Sequence, residues 1–290
     1  MGKPVSEKKR GNCLFPILIM LCLAVMGFSL YKLISISLEY KQGEEEYEIL
    51  QSYTIERDPQ EDPAGKQDGA DKSSGEEIPG TNSANSTAST GENDSSAAEA
   101  QAPLAVDFAS LKAINSDLVC WLYIPVLDLS YPVVQGDDND WYLHRTFEGA
   151  ANFAGSLFVE AENQNPLEDP HTIIYGHSMK NQTMFGKLKL LLQNDLYLQN
   201  PVFWILTEEG ETMYYMADIC YTEAGSSVYT LFEEAGEDFL NYEKEIAAQS
   251  GIQNSYLPEI TEDSRLVTLS TCAASEGTAR LVVRGIANEF

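Results

Sequence analysis

The sequence predicts a mainly β domain, an antiparallel barrel or sandwich, preceded by a membrane helix and a polar linker. Short runs rich in β-branched and aromatic residues follow one another from Cys120 onward, and turn residues separate most of them. Between residues 104 and 290, helical periodicity is confined to three stretches. The expected strands are Cys120–Val126, Tyr131–Gln135, Ser156–Val159, Thr172–Tyr175, Val202–Thr207, Thr212–Tyr221, Arg265–Ser270 and Ala279–Ile286.

The N-terminal segment is typical of a retained membrane anchor. Basic residues within the first ten positions precede an apolar run from Cys13 to Leu38, in which Lys32 is the only charged residue. About 20 apolar residues span a bilayer core, and basic residues before the run place the N-terminus inside and the rest outside. The run is longer than the apolar part of a cleaved signal peptide. We assign residues 1–12 to a cytoplasmic tail and 13–38 to the transmembrane helix.

Residues 39–103 are expected to form an extracellular linker. Between about Arg57 and Ala102, small and polar residues dominate and large apolar residues almost vanish. Such a segment cannot bury enough apolar surface to offset its ordering entropy. We expect a flexible tether, so that the domain at residues 104–290 works at a distance from the bilayer.

Three helices are expected within the domain. Leu104, Phe108, Leu111 and Ile114 form an apolar stripe at helical spacing. A long helix is expected over Leu231–Gln249, with Phe239, Tyr242 and Ile246 on one face, and a shorter one over Met184–Leu192.

The charge of the chain excludes one class of partner. Its formal net charge is −27, and no basic patch offsets the acids. Because phosphate binding requires clustered Lys and Arg, nucleic acid is not expected as a partner. No spaced Asp loop of the calcium-binding type occurs, and neither a metal nor another cofactor is expected.

Cys272 and His177 are the candidate nucleophile and acid/base. Each comes at the end of an apolar β run, in Thr-Leu-Ser-Thr-Cys272 and Ile-Tyr-Gly-His177. A catalytic thiol needs an imidazole partner, which is usually distant in sequence. Taken alone, Cys272 would be interpreted as a buried structural cysteine, which is the commoner case. The other histidines, His144 and His171, lie in polar contexts and are expected at the surface.

Arg280 is the candidate cation for an oxyanion. It opens a strand after a short polar loop from Cys272, so the return strand would place it beside the cysteine. A guanidinium is permanently charged and donates several hydrogen bonds. Arg284 lies on the same face by period-two alternation, and we expect it to be an edge-strand charge.

Together these motifs resemble the signatures of the sortases, class B. The resemblance covers residues 104–290 and includes further blocks in the same order. These blocks are Ile114-Asn-Ser-Asp-Leu-Val-Cys-Trp121-Leu, Tyr131-Pro-Val-Val-Gln-Gly-Asp-Asp-Asn139-Asp-Trp-Tyr-Leu143, Ala154-Gly-Ser-Leu-Phe158 and Met184-Phe-Gly-Lys-Leu188.

The resemblance implies a closed eight-stranded β-barrel with a long helix before the cysteine strand. It implies a cysteine transpeptidase in which Cys272 attacks a Thr carbonyl in the C-terminal sorting motif of an exported protein. A peptidoglycan cross-bridge or lipid II amine then accepts the acyl group. It also implies a substrate groove lined by Asn139, Leu143, Tyr175 and Ser270.

Two alternatives remain open. Arg280-Leu-Val-Val-Arg284-Gly also resembles the pilus-assembling class C enzymes, in which a pilin Lys replaces the wall amine. The linker has no Asp-Pro-x-aromatic lid, and no second apolar run follows the domain. The second alternative is a catalytically inert, membrane-tethered binding or sensor domain, which would have no need for Cys, His and Arg together.

Overall fold

The computed structural model describes residues 14–57, 101–193, 195–252, 254–272 and 279–288, with the backbone alone for Leu14, Phe15, Cys272 and Asn288. The α-helices within these ranges are α1 (Leu14–Gln51), α2 (Phe108–Ile114) and α3 (Glu237–Gln249). The strands are β1 (Thr54–Glu56), β2 (Leu104–Val106), β3 (Leu118–Ile124), β4 (Leu129–Val134), β5 (Leu157–Val159), β6 (His171–Gly176), β7 (Val202–Leu206), β8 (Glu211–Glu223), β9 (Ser264–Cys272) and β10 (Ala279–Asn288).

Strands β3–β10 close into a barrel in the order β10-β8-β7-β3-β4-β5-β6-β9. The eight expected strands are all present, with their ends moved by a few residues, and the barrel rather than the sandwich is confirmed. Neighbours are antiparallel except for two parallel pairs, β4 with β5 and β6 with β9. The second pair places the strand that precedes His177 beside the strand that ends at Cys272.

Large apolar side chains fill the barrel. Trp121, Leu122, Phe203 and Leu269 are fully buried, and Trp121 satisfies its indole N–H by donating to the Ser130 hydroxyl at 2.8 Å. On the outer face, the apolar stripe of α3 packs over β8, β9 and β10 in a second, smaller cluster. Close packing on both faces holds the strand ends in fixed positions.

The helices begin later than the sequence suggests. Leu104 belongs to β2, and α2 begins only at Phe108, where the Asp107 side chain accepts from the Ser110 N–H and caps the helix. Helix α3 begins at Glu237 rather than Leu231, because Gly236 occupies its N-cap in an extended conformation. The segment Phe185–Leu192 is a 3₁₀ helix.

Helix α1 is long and apolar enough to cross a bilayer. It continues past Leu38 to Gln51 and so includes the first residues of the segment that the sequence assigns to the linker. Leu50 and Tyr47 are buried against the barrel, and the Tyr47 hydroxyl donates to the Gly155 carbonyl at 3.0 Å. Glu39, the first residue after the apolar run, accepts a hydrogen bond from the Asn152 side chain through its carbonyl.

The two ends of segment 58–100 lie side by side. Strand β1 pairs with β2, and the Arg57 N–H donates to the Pro103 carbonyl at 2.8 Å. The Arg57 guanidinium contacts the Ala102 carbonyl and forms an ion pair with Glu211 at 2.7 Å. Segment 58–100 itself lies outside the described residues. The barrel contacts α1 immediately after its apolar run, through Asn152 and Tyr47.

Candidate active site

The ends of β6, β9 and β10 bring the three candidate catalytic residues together. Gly176 of β6 pairs with Thr271 of β9, and each is followed by a candidate residue, His177 and Cys272. On the other side of β9, Arg280 is the register partner of Cys272. Because adjacent strands lie about 4.8 Å apart, the three backbones meet at one end of the barrel.

Gly176 permits the close packing that fixes this end of β6. A Cβ at this position would come within 2.4 Å of Leu157 Cδ2 and 2.8 Å of Phe185 Cδ2. The Phe185 N–H in turn donates to the His177 carbonyl at 3.0 Å. The absence of a side chain at residue 176 thus lets the 3₁₀ helix Phe185–Leu192 pack against the end of β6, which His177 follows.

The imidazole of His177 is half-buried and held in one orientation. Its Nε2 lies 2.8 Å from the Leu143 carbonyl, which can only accept, so the proton of the neutral ring is on Nε2. Burial lowers the pKa of His177, the bond to Leu143 opposes that change, and the nearby His144 lowers the pKa further. The lowered pKa favours the neutral ring, in which Nδ1 is the nitrogen that can take a proton.

The expected groove residues lie around this end of the barrel in two connected pairs. The Tyr175 hydroxyl donates to Glu160 at 2.8 Å, and Asn139 donates to the other oxygen of the same carboxylate. The Tyr229 and Ser270 hydroxyls are 2.9 Å apart, and the rings of Tyr175 and Tyr229 stack with centroids 6.2 Å apart. Leu143 contributes the carbonyl that orients His177.

Sequence reasoning did not identify Glu160 and Tyr229. Glu160 directly follows the buried strand β5, and an acidic residue at the end of an apolar run is a sequence signal for a functional residue. Tyr229 lies in a 3₁₀ turn, 41 residues from its partner Ser270. No local pattern reveals such a distant contact.

Arg280 lies close enough to Tyr175 for its charge to act on the phenol. Burial and then the Glu160 carboxylate raise the pKa of Tyr175, and the Arg280 guanidinium opposes them. Arg284 is not the edge-strand charge that we expected. Because the barrel is closed, β10 has neighbours on both sides. The buried Arg284 forms an ion pair with Asp218, in which two guanidinium nitrogens donate to the same carboxylate oxygen.

The expected surface position of His171 is also wrong. His171 is fully buried in β6, where its ring nitrogens lie 2.7 Å from the Thr230 carbonyl and 2.8 Å from the Thr268 hydroxyl. Burial lowers its pKa to about 4. His144, in contrast, is exposed as expected, with its ring centroid 6.4 Å from that of His177.

Two further cysteines in the domain are poor candidates for a nucleophile. Cys120 is buried in the core, and burial raises the pKa of its thiol. Burial, aided by Asp218, raises the pKa of Cys220 to about 11. Since the thiolate is the reactive form, both thiols are suppressed at neutral pH.

Comparison with known proteins identifies the family of this chain. Residues 122–287 match the sortase domain family model. Sortase B of Listeria monocytogenes is 33% identical over 183 residues, covering 62% of this chain and 73% of that protein. Sortase B of Staphylococcus aureus is 31% identical over 178 residues, covering 61% and 72%.

Solved structures give the same result. The crystal structure of Clostridium perfringens sortase B is 31% identical, with a TM-score of 0.57 over 63% of this chain and 100% of that chain. A Staphylococcus aureus sortase B–substrate complex is 30% identical, with a TM-score of 0.56 over 63% and 84%. The family model spans more than half of the chain, and the chain accordingly belongs to the sortase family of cysteine transpeptidases, class B.

Proposed function

We propose that this sortase cleaves a C-terminal sorting motif after Thr in exported proteins and joins the acyl fragment to a peptidoglycan amine. Cys272 is the nucleophile, His177 the general acid and base, and Arg280 the oxyanion-stabilising cation. The observation that carries the proposal is the strand register, in which Arg280 pairs with Cys272 and β6 runs parallel to β9 up to His177.

The first half-reaction forms a thioacyl enzyme. Cys272 transfers its proton to Nδ1 of His177, and the thiolate attacks the Thr carbonyl. The guanidinium of Arg280 stabilises the tetrahedral oxyanion. The His177 imidazolium then protonates the leaving amine as the C–N bond breaks. The Leu143 carbonyl stabilises this imidazolium by accepting from Nε2 throughout.

The second half-reaction regenerates the enzyme. The neutral His177 removes a proton from the incoming amine as its nitrogen attacks the thioester. A new amide bond forms, and the Cys272 thiolate leaves and recovers a proton. No net oxidation occurs, so the reaction needs no redox partner.

We further propose that α1 anchors the protein as a single-pass membrane protein with the barrel outside the cell. The length and apolar character of Pro16–Gln51 support a span, and the basic residues that precede it support this orientation. The substrates and acceptor would then be an exported protein and a wall precursor that share this membrane surface.

The test uses the full chain in detergent micelles with fluorescent peptides of NPxTx, LPxTG and SPxTG type, each with and without an amine acceptor. The wild type should cleave one class after Thr and form the amide product when the acceptor is present. Cys272→Ala should lose cleavage, and His177→Ala should lose about 10²–10⁴-fold in kcat.

The acceptor is tested in the same assay. A wall-peptide amine and a pilin-type Lys peptide would be compared at equal concentration, and preference for the Lys peptide would favour the pilin-polymerase alternative. Failure of the wild type to cleave any sorting peptide, or undiminished cleavage by Cys272→Ala, would contradict the proposal.

A further inference from the structure

Glu160 holds two of the groove residues at once. One carboxylate oxygen accepts from the Tyr175 hydroxyl at 2.8 Å, and the other accepts from the Asn139 amide. The Asn139 carbonyl oxygen accepts from the Ala161 N–H at 2.9 Å, so the amide is held on both sides. Glu160 is itself anchored because its N–H donates to the Ile173 carbonyl at the neighbouring strand.

The Tyr175 ring connects Glu160 to the catalytic strand ends. Tyr175 and Ser270 are register partners in β6 and β9, each two residues before a proposed catalytic residue. Period-two alternation places Tyr175 on the same side of β6 as the following His177. The ring stacks on Tyr229, whose hydroxyl contacts Ser270. A displacement of Tyr175 would therefore disturb the surface beside both catalytic positions.

Charge fixes the direction of the hydrogen bond to Glu160. Burial and the carboxylate both raise the pKa of Tyr175, so its hydroxyl stays protonated at neutral pH and donates to Glu160. The phenol oxygen then keeps a lone pair for another partner, and Asn139 keeps its second N–H. This surface offers an acceptor and a donor, which complement the N–H and C=O groups of an extended peptide.

We propose that Glu160 is a positioning residue for the peptide substrate, which orients Tyr175 and Asn139 in the groove without touching the reacting atoms. The inference rests on the proposed function, since it assigns Glu160 a part in binding the sorting peptide. Loss of the carboxylate would release both side chains, and the peptide would have to order them on binding.

The experiment compares full-chain variants on whichever sorting peptide the wild type cleaves. Glu160→Ala should raise KM about tenfold, as expected for the loss of a hydrogen bond to a charged group, and change kcat by less than about twofold. Glu160→Gln keeps an acceptor oxygen and should recover part of this loss. Glu162→Ala is the matched control, an exposed acid two residues away, and should behave as the wild type.

A double-mutant cycle separates positioning from a general structural role. Tyr175→Phe retains the ring but removes the hydroxyl, and it should raise KM less in the Glu160→Ala background than in the wild type. Unfolding transitions of all variants should stay within a few degrees of each other. If the wild type cleaves the peptide and Glu160→Ala leaves KM unchanged, or lowers kcat alone, the inference is wrong. If the wild type cleaves no peptide, the proposed function fails and this inference fails with it.

Discussion

At the scale of single residues, the three histidines have three distinct environments. His177 is half-buried and hydrogen-bonded through one nitrogen, which leaves the other for proton transfer. His171 is fully buried with both nitrogens engaged, and His144 is exposed. The polar sequence around His171 predicts a surface position, but strand β6 already begins at His171. Burial and hydrogen bonding, not residue type, therefore decide which histidine can act in catalysis.

The environment of His171 predicts a pH-dependent stability. Its pKa is about 4 in the folded chain against an ordinary value of 6.5, so between these values the unfolded chain binds a proton that the folded chain does not. The free energy of unfolding should therefore fall as the pH drops from 6.5 to 4, by up to about 3 kcal/mol from this group. Urea unfolding followed by tryptophan fluorescence at pH 7 and pH 4 measures the change.

His171→Gln provides the control, because the carboxylates and His177 contribute to the pH dependence of stability in both the variant and the wild type. The change in the free energy of unfolding between pH 7 and pH 4 should be smaller in the variant than in the wild type by about 3 kcal/mol. Equal pH dependence in the two proteins would show that His171 is not a buried neutral group.

At the scale of elements, the register of β6, β9 and β10 assembles the site. The alternation of apolar residues predicts each of these strands, and the motifs at their ends predict Cys272, His177 and Arg280 as candidates. The parallel pairing of β6 with β9 could not be predicted from that alternation, because its register partners, such as His171 and Leu266, are 95 residues apart. The contact between Tyr229 and Ser270 could not be predicted for the same reason, since the two residues are 41 positions apart.

Gly176 supplies a test of the strand-end packing. In Gly176→Ala the new Cβ would collide with Leu157 and Phe185, so we expect a loss of about 1–3 kcal/mol in unfolding free energy. Cleavage activity should fall as well, because β6 carries His177 at its end. Denaturant unfolding and peptide cleavage measure the two effects.

Gly210→Ala is the matched control, because a Cβ at residue 210 has no neighbour within 4 Å. The combination of Gly176→Ala with Leu157→Ala should restore part of the activity by removing one of the colliding side chains. Equal stability and activity in Gly176→Ala and Gly210→Ala would contradict a packing role for residue 176.

At the scale of the whole molecule, the C-terminal end of α1, the proposed membrane anchor, packs directly on the barrel. Composition predicts the apolar run and the polar segment, but it cannot reveal that residues 39–57 pack on a surface formed by residues distant in the sequence, such as Tyr131 and Gly155. Buried Tyr47 and Leu50, together with the β1–β2 pairing, hold the barrel against the C-terminal end of α1. Arg57 and Pro103, which lie near the two ends of the undescribed segment 58–100, are hydrogen-bonded neighbours.

Cleavage within segment 58–100 tests this arrangement. A specific protease site inserted there should be cut in isolated membranes without release of the barrel, because the contacts of α1 and β1 persist. Leu50→Asp would place a charge in this buried contact, and the cut variant should then release the fragment from residue 101 onward into the soluble fraction. Release of that fragment from the cut wild type would show that segment 58–100 is a tether.

The central claim is that Cys272 forms the thioacyl intermediate. Wild-type full chain would be mixed with a cleaved sorting peptide in the absence of amine, quenched in acid and mapped by mass spectrometry. The account predicts an added mass equal to the acyl fragment ending in Thr, located on Cys272, and removed when the amine acceptor is supplied before quenching. An adduct on Cys120 or Cys220, or peptide cleavage that persists in Cys272→Ala without any adduct, would contradict it.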